Sequence, residues 1–429
     1  MTKDKRADLV VVGVEAALVA AAVVVGALLN DRGVRLWADT APIFGVWRPH
    51  AGWGTPVAVA VAAVVGWRGV VWARAAPWGR LLAVGYLVTL AWTLSLAFVD
   101  GWSGGLAERL TSEAEYLNEV PRVVDIGAML SGFADKIVQT EAGVWSTHTA
   151  GHPPGALLVF VWLDRIGLGG GGPAALACVL AGATVTVSVP MALRSLADEA
   201  AARAVVPFLV LFPGAVWIGA SADGIFAAVV AAGLALLAAP RWWCWPLGGV
   251  LLGFALYLSY GFALVGILAL AVVALRRGHR AAALGTAAAG VGAVVVAFTA
   301  AGFWWLDGYH LVVERYYQGW ASDRPYAYWV WANLAALVLC AGPAVGPALR
   351  RTIVAARGAA RWLPVAGAAA IVVADVSGLS KAEVERIWLP FAVWLMVATA
   401  ALPDRHRRAW LIAQAATALA VNHLVWTWW

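Results

Sequence analysis

Eight ionisable side chains stand close together in one stretch of this chain: Asp100, Glu113, Glu115, Glu119, Asp125, Asp135, His148 and His152. Carboxylates and imidazoles at this density suit proton abstraction, phosphate contact or cation binding. Asp100 closes an apolar run and has the position of a general base. Glu115, beside Tyr116, is a second candidate for that role, for binding acceptor hydroxyls, or for ligating a divalent ion. Glu113, Glu119 and Asp125 read as solvated charges. His148 and His152 flank Thr-Ala-Gly and read as phosphate or substrate contacts. Gly151 and Pro153 argue against a helix that would place both imidazoles on one face.

The elements that must position these groups are apolar almost throughout. The 429 residues are 62% hydrophobic and 13% charged, and mean hydropathy is +0.80. Soluble domains carry about 25% charged residues, so the chain is read as all-α, a polytopic transmembrane helical bundle forming one integral membrane domain over 1–429. The apolar runs are continuous rather than alternating, which excludes a barrel. Candidate spans, about 12–13 in all, fall near 9–29, 55–73, 81–99, 174–193, 204–219, 222–239, 246–275, 281–304, 327–349, 362–376, 387–402 and 409–427. The long 246–275 run is interrupted at Tyr257–Gly261 and reads as one tilted helix or two short ones. The 153–168 segment contains Asp164 and Arg165 and reads as an interfacial or half-inserted helix. The run after Lys3, Lys5 and Arg6 is too long for a signal-peptide core and reads as the first span.

The net charge of +6 does not indicate nucleic-acid binding, because the arginines cluster in short connections. The groups are Arg68, Arg74 and Arg80; Arg276, Arg277 and Arg280; Arg350, Arg351, Arg357 and Arg361; and Arg405, Arg407 and Arg408. All are cytoplasmic if the N-terminus is, in a multi-pass protein of a bacterial plasma membrane. The 100–155 segment is then a large external loop carrying short interfacial helices. Two further external loops, 305–326 and 377–386, mix carboxylates, arginines and aromatics. Arginine suits phosphate oxygens and aromatic faces suit sugar rings. Arg324 and Tyr326 are candidates for donor phosphate and sugar. Arg386 is a candidate lipid-phosphate clamp, or the partner of Glu383 or Glu385. Asp223 is a substrate contact or a helix cap. Glu15 lies within the first span. Gly167–Gly172 lacks the Lys-Ser/Thr of a nucleotide-phosphate loop. Cys178, Cys244 and Cys340 lack metal-ligand spacing and a disulfide pattern.

The chain resembles the GT-C superfamily of membrane glycosyltransferases in Val99-Asp100-Gly101, an acid where a span meets a large loop, and in His152-Pro153-Pro154-Gly155 at that loop's end. More narrowly, Glu115–Leu117, Thr147–Gly155, Arg324–Trp329 and Glu383–Phe391 resemble, in order, a bacterial multispanning family that includes methylthioxylose transferases. The resemblance implies a GT-C-like fold, a polyprenyl-phosphate-linked sugar donor and an envelope glycan acceptor. It implies no certain cofactor, with a divalent cation left open. Two spans precede the one ending at Asp100, so Asp31 and Asp39 in the earlier 30–54 loop compete for the acid's role. The competing classes are a transporter or flippase of a lipid-linked sugar and a scaffold subunit.

Overall fold

The computed structural model describes residues 3–139, 143–219 and 221–428; residues 140–142 of the large loop lie outside it. The protein is an all-α polytopic bundle. Six helices are long and apolar enough to cross a membrane: Asp4–Asp31, Thr55–Ala75, Trp78–Ala97, Gly171–Ser195, Arg280–Ala300 and Ala359–Val376. Each covers an apolar run expected to span. A seventh run is broken, with Tyr326–Ala341 and Val345–Ala355 meeting at 94°. Gly342 adopts φ +85 at the bend, a conformation open to glycine. Gln414 fills the space beside it, donating to the Ala341 carbonyl at 2.7 Å and accepting from the Ala344 amide at 3.2 Å. The backbone groups released by the break are thereby satisfied inside the bundle.

The remaining expected spans are shorter or more polar. Asp223–Ala238, Cys244–Leu256, Tyr260–Leu275 and Leu389–Ala401 are apolar helices of 10–17 residues. The 246–275 run is thus two helices that turn at Tyr257–Ser259. The 204–219 run forms Glu199–Val210 and a separate turn, Ala215–Ile218, with Pro213 between them. The last expected span is helix Asp404–Leu424, whose buried Gln414 and Asn422 make it too polar to count with the six. Helix Pro154–Arg165 has 12 residues, about 18 Å of rise, short of the roughly 30 Å hydrocarbon core. Its buried Leu157, Phe160 and Val161 hold it against the bundle, and its Arg165 donates to the Val123 and Val124 carbonyls at 2.9 and 2.7 Å.

Close backbone approach holds the short helices together. A Cβ added at Gly249 would lie 2.0 Å from the Ala287 carbonyl oxygen, and one at Gly290 2.4 Å from that of Pro246. Small residues let Cys244–Leu256 and Arg280–Ala300 pack at a distance that larger side chains forbid.

The bundle has two chemically distinct ends. At one, Asp8 binds Arg350 and Arg351, each at 2.6 Å, and Asp404 binds Arg407 at 2.7 Å and also Arg74. Arg203 donates there to the Ala76 carbonyl at 2.8 Å, and Arg276 caps the carbonyls of Leu237 and Ala239. The basic connections therefore share one end. At the other, the 31–54, 100–170, 302–325 and 377–386 segments meet. Strand β1 (Gly45–Trp47) pairs antiparallel with β2 (Val425–Thr427), Gly45 opposite Thr427 and Trp47 opposite Val425.

Candidate functional site

At this polar end the turn before helix Leu389–Leu395 is held in an uncommon shape. Ala382 and Glu383 have φ +69 and +62, a left-handed conformation that costs an L-residue about 1–2 kcal/mol. Neighbouring polar groups stabilise it. Asn333 donates to Asp375 at 2.8 Å and to the Ser380 carbonyl at 2.6 Å, and accepts from the Ala382 amide at 3.2 Å. Lys381 donates to the Ala321 carbonyl at 2.8 Å, and its amide to the Tyr316 hydroxyl at 3.0 Å.

That turn aims Arg386 into the interior, where it is 5% exposed. Its Nη1 donates to Asp223 Oδ2 at 2.9 Å. Its Nη2 donates to Glu383 Oε2 and to His148 Nε2, both at 3.0 Å. The other Glu383 oxygen accepts from Arg324 Nη1 at 3.0 Å. Arg324 also donates to the carbonyls of Leu36 at 3.2 Å and Lys381 at 2.8 Å. On the far side of Arg386, His148 Nδ1 lies 2.9 Å from Glu115 Oε1. A guanidinium can only donate, so Nε2 of His148 accepts and the proton sits on Nδ1, directed at Glu115. The result is a continuous buried chain, Glu115–His148–Arg386, which branches to Asp223 and to Glu383–Arg324.

The electrostatics follow from this enclosure. Burial pushes the Glu383 carboxyl up, but Arg324 and Arg386 outweigh it and hold it down at about 2. Burial alone would lower the Arg386 guanidinium, yet Asp223, Glu383 and Glu115 raise it instead. Arg386 thus sits in an internal ion network, and of the two expected ion-pair partners it meets Glu383 rather than Glu385. Glu385 turns the other way and accepts from the Phe44 amide at 3.1 Å. Burial raises its carboxyl to about 7, and its second oxygen has no hydrogen-bond partner.

The two histidines depart from expectation. Thr147–Gly151 forms a single helical turn despite Gly151 and Pro153, and His152 Nδ1 donates to the His148 carbonyl at 2.8 Å. Both rings meet Tyr116, with centroids 6.0 and 5.8 Å away, and Tyr116 stacks on Phe160 at 5.3 Å. Burial, helped by the Arg386 guanidinium, lowers His152 to about 3. It is a neutral imidazole whose Nδ1 proton is directed at a carbonyl.

Asp100 belongs to a second cluster. Its carboxylate lies 3.1 Å from His50 Nε2 and 3.2 Å from Arg109 Nη2, and its side chain is 18% exposed. His50 Nδ1 is 2.6 Å from the Arg48 carbonyl, while its Nε2, although close to Asp100, makes no hydrogen bond. Arg109 lies over the Trp426 ring at 4.9 Å and donates to the Thr427 carbonyl, so the strand pair buttresses this cluster. Nearby, His423 meets the Thr55 hydroxyl at 2.9 Å. Trp47, Trp53, Trp102 and Trp428, on the adjoining segments, are exposed.

The structure thus joins Glu115, His148, Asp223, Arg324, Glu383 and Arg386 and sets His152 beside them. It leaves Asp100 apart. Tyr326 is separate as well, exposed, with its hydroxyl on the Val376 carbonyl at 3.1 Å. Glu119, expected in solvent, is buried and accepts from the Ser146 amide at 2.8 Å. Asp125 caps helix Ile126–Ser131 through the Ala128 amide at 2.6 Å. Glu15 packs against Gly346 with one oxygen unpartnered. His50, Arg109, Asn333 and Lys381 were not singled out from sequence. Asn333 had a visible signal, a lone amide in an apolar run. Among the described residues, no three His, Cys, Asp or Glu side chains converge as a metal-ligand set. Compared with protein-family models, curated proteins and solved structures, the chain matches none.

Proposed function

We propose that this membrane protein is a glycosyltransferase that moves a sugar from a polyprenyl-phosphate carrier to an envelope glycan or glycolipid. The reaction takes place at the polar end, on the external face of a bacterial plasma membrane, with the arginine-rich end and the N-terminus cytoplasmic. The observation that carries the reading is Asp100. It is a partly open carboxylate held by Arg109, with exposed tryptophans suited to sugar rings on the adjoining segments. In this reading Asp100 takes the acceptor hydroxyl's proton as the sugar leaves its phosphate, which requires hydrogen-bond reach to that hydroxyl. Glu115 is enclosed, so its part is to hold His148 and, through it, Arg386. That network fixes the loops around the reacting groups, and positioning is a large share of such catalysis. A transporter or flippase would concentrate polar groups near the midplane, whereas here both clusters lie at one end.

The test is transfer from radiolabelled polyprenyl-phosphate sugars in membranes with equal amounts of wild type, Asp100→Asn, Glu115→Gln or Arg386→Ala protein. The expected result is transfer by wild type and loss in Asp100→Asn at normal abundance. Full transfer by Asp100→Asn would remove the residue from the chemistry. Movement of the lipid-linked sugar across the membrane without transfer would replace the enzyme by a flippase.

A further inference from the structure

The arginine-rich end holds a cavity of about 720 Å³ that the proposed transfer does not use. It lies where the ends of Thr55–Ala75, Glu199–Val210, Ala359–Val376 and Asp404–Leu424 meet. Arg74, Arg203, Arg357 and Arg407 line it, against two carboxylates, Asp198 and Asp404; its floor is mostly alanine, with Pro207.

The two carboxylates offset only part of the charge of the four arginines. Asp198 accepts from the Ala201 amide at 3.0 Å as a helix cap. Asp404 is shared between Arg74 and Arg407. Arg203 is fixed by the Ala73 and Ala76 carbonyls at 3.2 and 2.8 Å and by Glu199 at 2.9 Å. Arg357 is exposed and makes no hydrogen bond or ion pair among the described residues. The cavity therefore carries net positive charge over an apolar floor. Beside it, Val71, Ile353 and Val354 are 69%, 55% and 73% exposed. In a helix bundle of this kind such side chains face lipid, so the cavity opens on the acyl-chain perimeter.

We infer that this cavity binds the phosphodiester headgroup of an anionic phospholipid, with its acyl chains running over Val71, Ile353 and Val354. A basic pocket between helix ends, continuous with an apolar outer face, is the pattern that recognises such lipids. Guanidiniums match phosphate oxygens in two-point geometry. The apolar rim selects a lipid over free phosphate.

The full chain, purified in neutral detergent, would be titrated with dioleoylphosphatidylglycerol, dioleoylphosphatidylcholine or inorganic phosphate. Retained lipid would be counted by native mass spectrometry, and thermal stability followed in parallel. The expected result is retention of, and stabilisation by, the anionic lipid alone. Arg357→Gln should weaken binding about fivefold, the worth of one basic residue against an anionic headgroup. Arg361→Gln, the same charge change outside the cavity, should leave it intact. Equal loss in both variants, or equal retention of the choline lipid, would overturn the site. Equal stabilisation by inorganic phosphate would overturn the lipid as its ligand. None of these readouts depends on sugar transfer.

Discussion

Arg386→Ala is expected to destabilise the protein by about 3–5 kcal/mol, the cost of removing one partner from a buried ion pair. The structure shows where the cost falls. Asp223 is 4% exposed and loses the Arg386 guanidinium, at 2.9 Å. Glu383 keeps Arg324 at 3.0 Å, so the penalty centres on one uncompensated carboxylate. His148 also loses the donor to Nε2 and is released toward Glu115. The folded-to-unfolded ratio should fall by a factor of roughly 10² or more. The assay is the temperature at which half of the detergent-solubilised protein leaves its monodisperse chromatographic peak, together with abundance in membranes. Arg386→Lys should fall in between, because a point charge cannot reach both carboxylates in the geometry of a planar fork. The double variant Arg386→Leu with Asp223→Leu should recover most of the loss, since replacing both members of a buried pair by apolar groups is often neutral. Wild-type stability in Arg386→Ala, or a double variant no better than the single, would refute the account of Arg386 as the centre of the network.

Glu383 is held at about 2 against an ordinary 4.5. It should therefore contribute about 3 kcal/mol that is present above pH 4.5 and lost as pH falls toward 2; Glu383→Gln should lack that acid-limb loss in thermal scans from pH 6 to 2. Glu385 is raised from 4.5 to about 7, so the folded chain holds a proton that the unfolded chain releases, and stability should fall as pH rises from 4.5 through 7. Glu385→Gln should thus match wild type at pH 4.5 and exceed it at pH 8, and an advantage independent of pH would count against the assignment. Gly249→Ala places a Cβ 2.0 Å from the Ala287 carbonyl oxygen and should cost about 1–3 kcal/mol as overpacking. Gly285→Ala, on the facing helix with nothing within 4 Å, should cost nothing by the same thermal assay.

The fold was legible where a long apolar run has few polar interruptions, as at 9–29 or 281–304. Where polar residues serve the interior, their task was not legible: Gln414 lies in an apolar run that reads as a span, and nothing in the sequence shows that it satisfies the bend at Gly342. The individual residues of the polar end were legible too, because carboxylates, imidazoles and arginines beside apolar runs are conspicuous. Their pairing was not. Arg386 meets His148 across 238 residues and Asp223 across 163, and nothing local announces such partners. Glu119 was misread because a carboxylate in a polar loop has no sequence mark that separates solvation from the capping of a distant amide. The single turn at Thr147–Gly151 was missed because tertiary contact with Tyr116 outweighs the weak helical tendency of Gly151 and the block set by Pro153.

The long reach of Arg386 also bears on how the protein is made. At synthesis rates of about 5–20 residues per second, the 163 residues that separate Asp223 from Arg386 take on the order of ten to thirty seconds to appear. Glu115 and His148 wait longer still. During that interval the carboxylates must remain in water, since burying them unpaired costs several kcal/mol each. The polar end of the nascent bundle is therefore expected to stay open at least until Val384–Ile387 arrives, when several charges can leave water together around one guanidinium.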